Sequence, residues 1–225
     1  MLRISLLHLL LLLAMSAAAV PAQPRAASQV PQEKGRFRKP ELVELVKLDP
    51  TFKLDIRYAT NNNFLGRPVY KEARAFLQRP AAEALVRVQR NLRKQGFGLL
   101  IFDGYRPWAV TKDFWDSTPP SKHNFVANPA KGSKHNRGCA VDLSLYELST
   151  GQEVEMPSAY DEMTERAYPT YDGGQQESRR LRDVLRAAME AEGFVVNEYE
   201  WWHFDFKDWQ KYPILNLSFA QLGGR

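Results

Sequence analysis

The stretch Gly132-Ser-Lys-His-Asn-Arg-Gly-Cys-Ala-Val-Asp142 places a histidine and an aspartate seven residues apart, on either side of a glycine. Side chains separated by an odd number of residues face opposite sides of a regular strand. His135 and Asp142 can therefore converge only if His135 precedes the strand, on a bend that Gly138 permits. Residues 140–146 alternate as a buried strand does, and a carboxylate at Asp142 in such a strand needs a partner, because burying a bare charge is costly.

A second stretch, Glu200-Trp-Trp-His203, follows some sixty residues later. Glu200 and His203 can share a cavity only if a turn or bulge precedes a strand over 202–206. His203 would then join His135 and Asp142 as a ligand set for a catalytic zinc with one position left for water. Glu200 would be the general base for that water. The alternative is that these histidines are ordinary packed or surface residues, which a lone histidine usually is.

Arg106 lies in Asp103-Gly-Tyr-Arg-Pro107, directly after an apolar strand predicted over 97–102. Loops at strand ends often carry functional residues on a rigid scaffold. A guanidinium keeps its charge and offers fixed donors, so Arg106 is a candidate for stabilising a developing oxyanion. Alone, it could equally be a surface turn residue.

The remaining periodicity predicts an α+β domain, built on a small antiparallel sheet with flanking helices. A polar, irregular segment over 151–176 is long enough to suggest a lid or binding loop. The other predicted elements, in chain order, are a strand over 52–58, a helix over 80–95, a loop-rich segment over 108–130, a helix over 178–192 and a strand over 194–196.

The N-terminal composition predicts three parts: a secretory signal peptide over 1–22, a flexible linker over 23–39 and one domain over 40–225. The first part has a short basic start, an apolar run and small residues for cleavage, and it is too short for a confident membrane span. We therefore expect export, to the bacterial periplasm, with no stable membrane insertion after cleavage.

Charge and cysteine content narrow the classes of function. The net charge of +5 is spread along 225 residues, which does not favour nucleic acid as a partner. Cys139 is the only cysteine, so the fold cannot rest on an intramolecular disulfide. Its place between Gly138 and Ala140 indicates a requirement for a small residue rather than a nucleophile.

The pattern Ser133-x-His135-x-x-Gly138-x-Ala140-x-Asp142, followed by Glu200-x-x-His203, resembles the zinc site of the D-Ala-D-Ala peptidase family, which shares its fold with the Hedgehog signalling domain. More narrowly, the chain resembles D-alanyl-D-alanine dipeptidases of the vancomycin-resistance type. The likeness extends over about residues 45–210.

This resemblance implies one Zn²⁺ per chain, a Hedgehog-like fold and hydrolysis of the small molecule D-Ala-D-Ala. The predicted signal peptide, and not the resemblance, adds the hypothesis that this hydrolysis serves cell-wall dipeptide turnover. The resemblance also implies an acidic residue, at Asp161, that holds the substrate ammonium, and it places Tyr58 and Ser133 along the dipeptide site. The roles it implies for the other residues are zinc binding by His135, Asp142 and His203, base catalysis by Glu200 and carbonyl polarisation by Arg106.

Two alternatives stay open from the sequence. The first is a D,D-carboxypeptidase or endopeptidase of the same superfamily that acts on intact peptidoglycan. The second is a Hedgehog-like metal-binding module without activity, which the joint presence of Glu200 and Arg106 disfavours.

Overall fold

The computed structural model describes residues 29–223. The predicted signal peptide and the first residues of the predicted linker lie outside this range. Within it, the strands are β1 (Leu42–Glu44), β2 (Lys53–Leu54), β3 (Phe76–Gln78), β4 (Phe97–Asp103), β5 (Ala140–Glu147), β6 (Phe194–Val196) and β7 (His203–Phe206). The α-helices are α1 (Leu45–Leu48), α2 (Arg79–Arg93), α3 (Trp108–Ser117), α4 (Gln176–Ala191) and α5 (Phe219–Gly223).

Five strands form the main sheet, in the order β2-β4-β5-β7-β6. All its neighbours pair antiparallel except β2 and β4, which are parallel. A separate antiparallel pair joins β1 to β3. The predicted α+β fold with a small antiparallel sheet is confirmed, with one parallel pair that the sequence pattern did not indicate.

The two long helices cover the sheet. Helix α2 buries a stripe at helical spacing, Ala81, Leu85, Val88 and Leu92, each with no exposed surface. It contacts β4 and helix α4, and α4 in turn contacts β5 and β6. These contacts bury the central strands β4 and β5, which carry Asp103 and Asp142.

Two predicted elements differ from the structure. Over 52–58 the strand is only Lys53–Leu54, and Arg57–Ala59 form a 3₁₀ turn instead. The carbonyl of Tyr58 there accepts backbone N–H groups from Val69 and Tyr70, so pairing with an incoming loop replaces the strand ladder. The prediction that residues 108–130 are loop-rich was wrong for residues 108–117, which form helix α3.

The N-terminal arm, residues 29–39, belongs to the predicted flexible linker but is fastened to the domain. Arg38 N donates to the Lys211 carbonyl over 2.7 Å, and Glu33 Oε2 accepts from Ile214 N over 2.7 Å. Composition alone could not indicate these contacts, because each depends on a single residue. Across residues 29–223, none of the helices is both long and apolar enough for a membrane crossing.

Candidate metal centre and active site

His135 sits on a bend before strand β5, as its separation from Asp142 required. Residues 135–137 form one 3₁₀ turn, and Gly138 follows with φ +67°. The left-handed backbone favours glycine here, and a Cβ at Gly138 would also lie 2.3 Å from Leu42 Cδ2 and force that side chain to move. We call residues 133–138 the ligand loop.

His203 approaches from the neighbouring strand. A turn at residues 201–202 precedes β7, as predicted, and His203 N donates to the Glu200 carbonyl over 3.3 Å. In the pairing of β5 with β7, His203 lies directly opposite Asp142. The sheet register therefore fixes the relative position of these two side chains.

Three side-chain atoms converge at this point. His135 Nε2 lies 3.2 Å from Asp142 Oδ1 and 3.1 Å from His203 Nδ1, and the third separation, His203 Nδ1 to Asp142 Oδ1, is 3.0 Å. All three residues are buried, with at most 7% of their surface exposed. One cation could contact all three atoms.

The outer nitrogens of both imidazoles have acceptors. His135 Nδ1 is 2.7 Å from the Gly104 carbonyl, and His203 Nε2 is 2.9 Å from Asp205 Oδ1. These acceptors place the ring protons on the outer nitrogens, so lone pairs face the common point. Asp142 Oδ1, also facing it, is buried without a hydrogen-bond donor among the described residues. Three lone-pair atoms this close are mutually repulsive unless a cation lies between them, so the residues fit a metal.

The electrostatics favour positive charge at the same point. Burial alone would lower the pKa of His203, but Asp205 and Asp142 outweigh it and raise that pKa to about 10. Conversely, although burial would raise the pKa of Asp142, His135 and His203 hold it well below its usual range. Zinc, with nitrogen and carboxylate ligands, suits this donor set.

Glu200 lies beside the three ligands. Its Oε2 is 3.7 Å from His203 Nδ1, and 16% of its side chain is exposed. Burial raises the pKa of Glu200 to about 8, with Asp142 and Asp161 adding repulsion. A divalent cation held nearby would act in the opposite sense and would lower this pKa toward the range of a general base.

Arg106 is a buried residue rather than a surface turn residue, with 7% of its surface exposed. Its Nε donates to Asp103 Oδ2 over 2.9 Å, and its Nη2 lies 3.5 Å from Asp142 Oδ2. Its backbone N–H donates to the His135 carbonyl over 3.1 Å. Arg106 is thus fixed to the ligand loop and to Asp142 at once.

Asp161 and Tyr58 are hydrogen-bonded partners, with Tyr58 Oη donating to Asp161 Oδ1 over 2.9 Å. Asp161 Oδ2 is buried and lacks a donor within the described range. Burial raises the pKa of Asp161 to about 7. Asp161 is also the one non-glycine residue of residues 29–223 with positive φ, at 61°, a strained conformation of the kind found at ligand sites.

All eight sequence-predicted site residues line or adjoin one cavity of about 380 Å³. Ser133, the last of them, is 8% exposed, and its Oγ accepts from His135 N over 3.2 Å. The eight are Tyr58, Arg106, Ser133, His135, Asp142, Asp161, Glu200 and His203.

Sequence reasoning missed three supporting residues. Asp205 holds His203, Asp103 holds Arg106, and Tyr160 Oη donates to Asp142 Oδ2 over 3.0 Å. The signal for Asp205 was present, since residues two apart on a strand share a face. Nothing local to Tyr160 indicated that it would reach strand β5.

Two imidazoles, a carboxylate, a further buried acid and a buried guanidinium around one cavity are the groups that a metallopeptidase uses. The chain belongs to the Peptidase M15 family, described as D-ala-D-ala dipeptidase, whose model matches residues 38–221.

Curated relatives agree with this assignment. The chain is 33% identical over 180 residues to a D-alanyl-D-alanine dipeptidase of Escherichia coli (strain K12), covering 80% of this chain and 92% of the relative. It is 36% identical over 184 residues to one of Enterococcus faecalis (strain ATCC 700802 / V583), covering 74% and 91%. The resemblance predicted from the two motifs is therefore confirmed at the level of the family.

Proposed function

We propose that this protein is a zinc-dependent dipeptidase that hydrolyses D-Ala-D-Ala to two D-alanines. The observation that carries the proposal is the convergence of His135 Nε2, Asp142 Oδ1 and His203 Nδ1 within 3.2 Å of one another, beside Glu200. Family membership and the names of the relatives support the choice of substrate.

One Zn²⁺ per chain would be held by His135, Asp142 and His203. When bound, zinc supplies Lewis-acid polarisation and a lowered pKa for water at its open position. Glu200 takes a proton from the attacking water as the new C–O bond forms at the peptide carbonyl. The same carboxyl then gives a proton to the nitrogen as the C–N bond breaks, so the products are two free amino acids.

Arg106 stabilises the negative charge that develops on the carbonyl oxygen. Its contacts to Asp103 and Asp142 fix the guanidinium before substrate arrives, so little reorganisation is needed during the reaction. Its charge is permanent: although burial opposes it, Asp103 keeps the pKa of Arg106 well above its ordinary value.

Asp161 and Tyr58 bind the substrate ammonium, and Ser133 lines the dipeptide site. The unpartnered Oδ2 of Asp161 supports this role, since a buried carboxylate oxygen gains from a cationic donor. A substrate extended at its amino end would leave Asp161 buried without its counter-charge. This is the physical basis for preferring a dipeptide.

Export to the bacterial periplasm, with a role in turnover of wall-derived dipeptide, is part of the proposal. It is supported by the apolar, small-residue composition of residues 1–22.

Free D-Ala-D-Ala and a muropeptide ending in it distinguish the candidate functions. We expect the kcat/KM for D-alanine release to be at least about thirtyfold higher with the free dipeptide than with the muropeptide, because losing a buried charge pair costs at least about 2 kcal/mol. Comparable or faster release from the muropeptide would instead indicate a carboxypeptidase or endopeptidase. No release from either would indicate a module without activity.

Asp161→Asn tests the ammonium subsite. We expect kcat/KM on D-Ala-D-Ala to fall roughly thirtyfold, from loss of about 2 kcal/mol of charge pairing. The discrimination against N-acetyl-D-Ala-D-Ala, which lacks the ammonium, should shrink by a similar factor. Asp183→Asn, at a side chain that is 62% exposed on α4, is the control. Unchanged discrimination in the Asp161 variant would exclude this role.

A further inference from the structure

The N-terminal arm, residues 29–39, lies almost wholly before residues 38–221, the region that the family model matches. One side chain of this arm, Glu33, is nevertheless hydrogen-bonded to the domain through both of its oxygens. Both carboxylate oxygens of Glu33 have donors: Oε1 accepts from Arg137 Nη2 over 2.5 Å, and Oε2 accepts from Ile214 N over 2.7 Å. Only 21% of this side chain is exposed.

Arg137 is the last residue of the 3₁₀ turn that begins at His135, and it is 7% exposed. Its Nη1 donates to the Tyr212 carbonyl, and its guanidinium lies 5.4 Å from the centre of the Trp209 ring. Among the described residues, Glu33 is the only carboxylate that forms a salt bridge with it. A buried guanidinium beside a metal ligand thus depends on the arm for its counter-charge.

The other contact of Glu33 reaches the segment that backs the ligand loop. Residues 212–215 follow a 3₁₀ turn at Trp209–Lys211. Leu215 N donates to the Asn136 carbonyl over 2.9 Å. A Cβ on Gly132 would lie 2.3 Å from Ile214 Cδ1, so this backing is tight. One carboxylate therefore bridges the ligand loop and its support.

We propose that Glu33 is a positioning residue for the metal centre. Through Arg137 and residues 212–215, it holds the ligand loop in the conformation that presents His135 Nε2 to the common point. The inference rests on the proposed metal site, because it assigns to the arm the task of keeping that site assembled.

Zinc affinity is the measurement that tests it, by competition with a chromogenic chelator. Glu33→Gln keeps the size of the side chain but removes its charge, and we expect the Kd for zinc to rise on the order of tenfold, as for residues that orient metal ligands from outside. The rise in Tm on adding zinc should shrink accordingly.

The matched control lies on the same arm. Arg38→Gln removes a partly exposed ion pair with Asp208 and the approach of the guanidinium to the Tyr212 ring, so it weakens the attachment of the arm while it leaves the pair between Glu33 and Arg137 intact. We expect its Kd for zinc to stay within about twofold of the original value. Glu33→Asp, which retains the charge, should lie between the two and serves if Glu33→Gln does not fold.

The zinc affinities and Tm values of these variants distinguish a positioning role of Glu33 from a purely structural one. If Glu33→Gln lowers the Tm of the zinc-free and zinc-loaded protein equally and leaves the Kd unchanged, Glu33 only stabilises the fold and the inference is wrong. Equal losses of affinity in the Glu33 and Arg38 variants would also overturn it. If the original protein binds no zinc, the proposed metal site itself fails, which is a different result.

Discussion

Glu200→Gln is expected to lower kcat on D-Ala-D-Ala by about 10²–10⁴-fold, the usual contribution of a positioned general base, while zinc stays bound. Glutamine has nearly the same shape but cannot accept the proton of the attacking water or return one to the leaving amine. The Glu200 carboxylate is 3.7 Å from His203 Nδ1, outside the three converging atoms, so its removal leaves the ligand set complete.

We do not expect this fall in kcat to result from a less stable fold. Burial raises the pKa of Glu200 to about 8, so the zinc-free site disfavours its charge. A neutral amide avoids the repulsion from Asp142 and Asp161, so we expect the Tm of the zinc-free variant to equal or exceed that of the original protein. Zinc content, Tm and steady-state kinetics measured on one preparation separate catalysis from folding.

Glu83→Gln is the matched control, with the same change at an exposed position on α2 that does not line the cavity. Its kcat should stay within about threefold of the original. If Glu200→Gln retains more than about a tenth of the original kcat, another group is the base, and the proton transfers proposed above must be reassigned.

The convergence of the metal ligands could be predicted from the sequence because it follows from strand geometry. The odd separations of His135 from Asp142 and of Glu200 from His203 required bends before the two strands, and both bends are present. The glycine at position 138 signalled the first of them.

The residues that support the site were harder to predict, because their partners are distant in sequence. Tyr160 reaches Asp142 across 18 residues, and Glu33 reaches Arg137 across 104. Neither separation leaves a periodic pattern. The same applies to the arm. Its Pro-rich, polar composition predicts flexibility, whereas the Glu33 carboxylate accepts two hydrogen bonds that attach it to the domain.

The role of Asp161 came from the family resemblance and not from the residues around it. The structure adds a physical reason for considering it: a buried oxygen without a donor, in a strained backbone conformation. Helix α3 is the opposite case. Its buried residues Trp108, Thr111 and Phe114 recur every three positions, a helical spacing that is visible in the sequence, yet the segment was predicted to be loop-rich.

Asp142→Asn is expected to abolish metal binding and activity together, in contrast to Glu200→Gln. Asp142 supplies the only negative charge among the three proposed ligands. Its Oδ2 faces two donors, Tyr160 Oη at 3.0 Å and Arg106 Nη2 at 3.5 Å. If the asparagine oxygen takes the Oδ2 position, its NH₂ group points at the cation. If the amide is flipped, the oxygen faces the cation but the NH₂ group points at the two donors.

Both orientations are therefore unfavourable, and we expect the Kd for zinc to rise at least about a hundredfold, the upper range for residues that only orient a ligand. Turnover should fall to the level of the original protein treated with a chelator. Adding zinc should raise the Tm of the original protein but not of the variant, because ligand binding stabilises only the folded state that holds the site.

The exposed Asp183→Asn variant controls for loss of an acidic residue and should bind zinc like the original. Restoring zinc after chelation should recover the activity of the original protein and of this control, but not of Asp142→Asn. A variant at Asp142 that bound zinc normally would show that the cation lies elsewhere. The 3.0–3.2 Å approach of the three side chains would then reflect packing around a proton on His203 rather than a metal site.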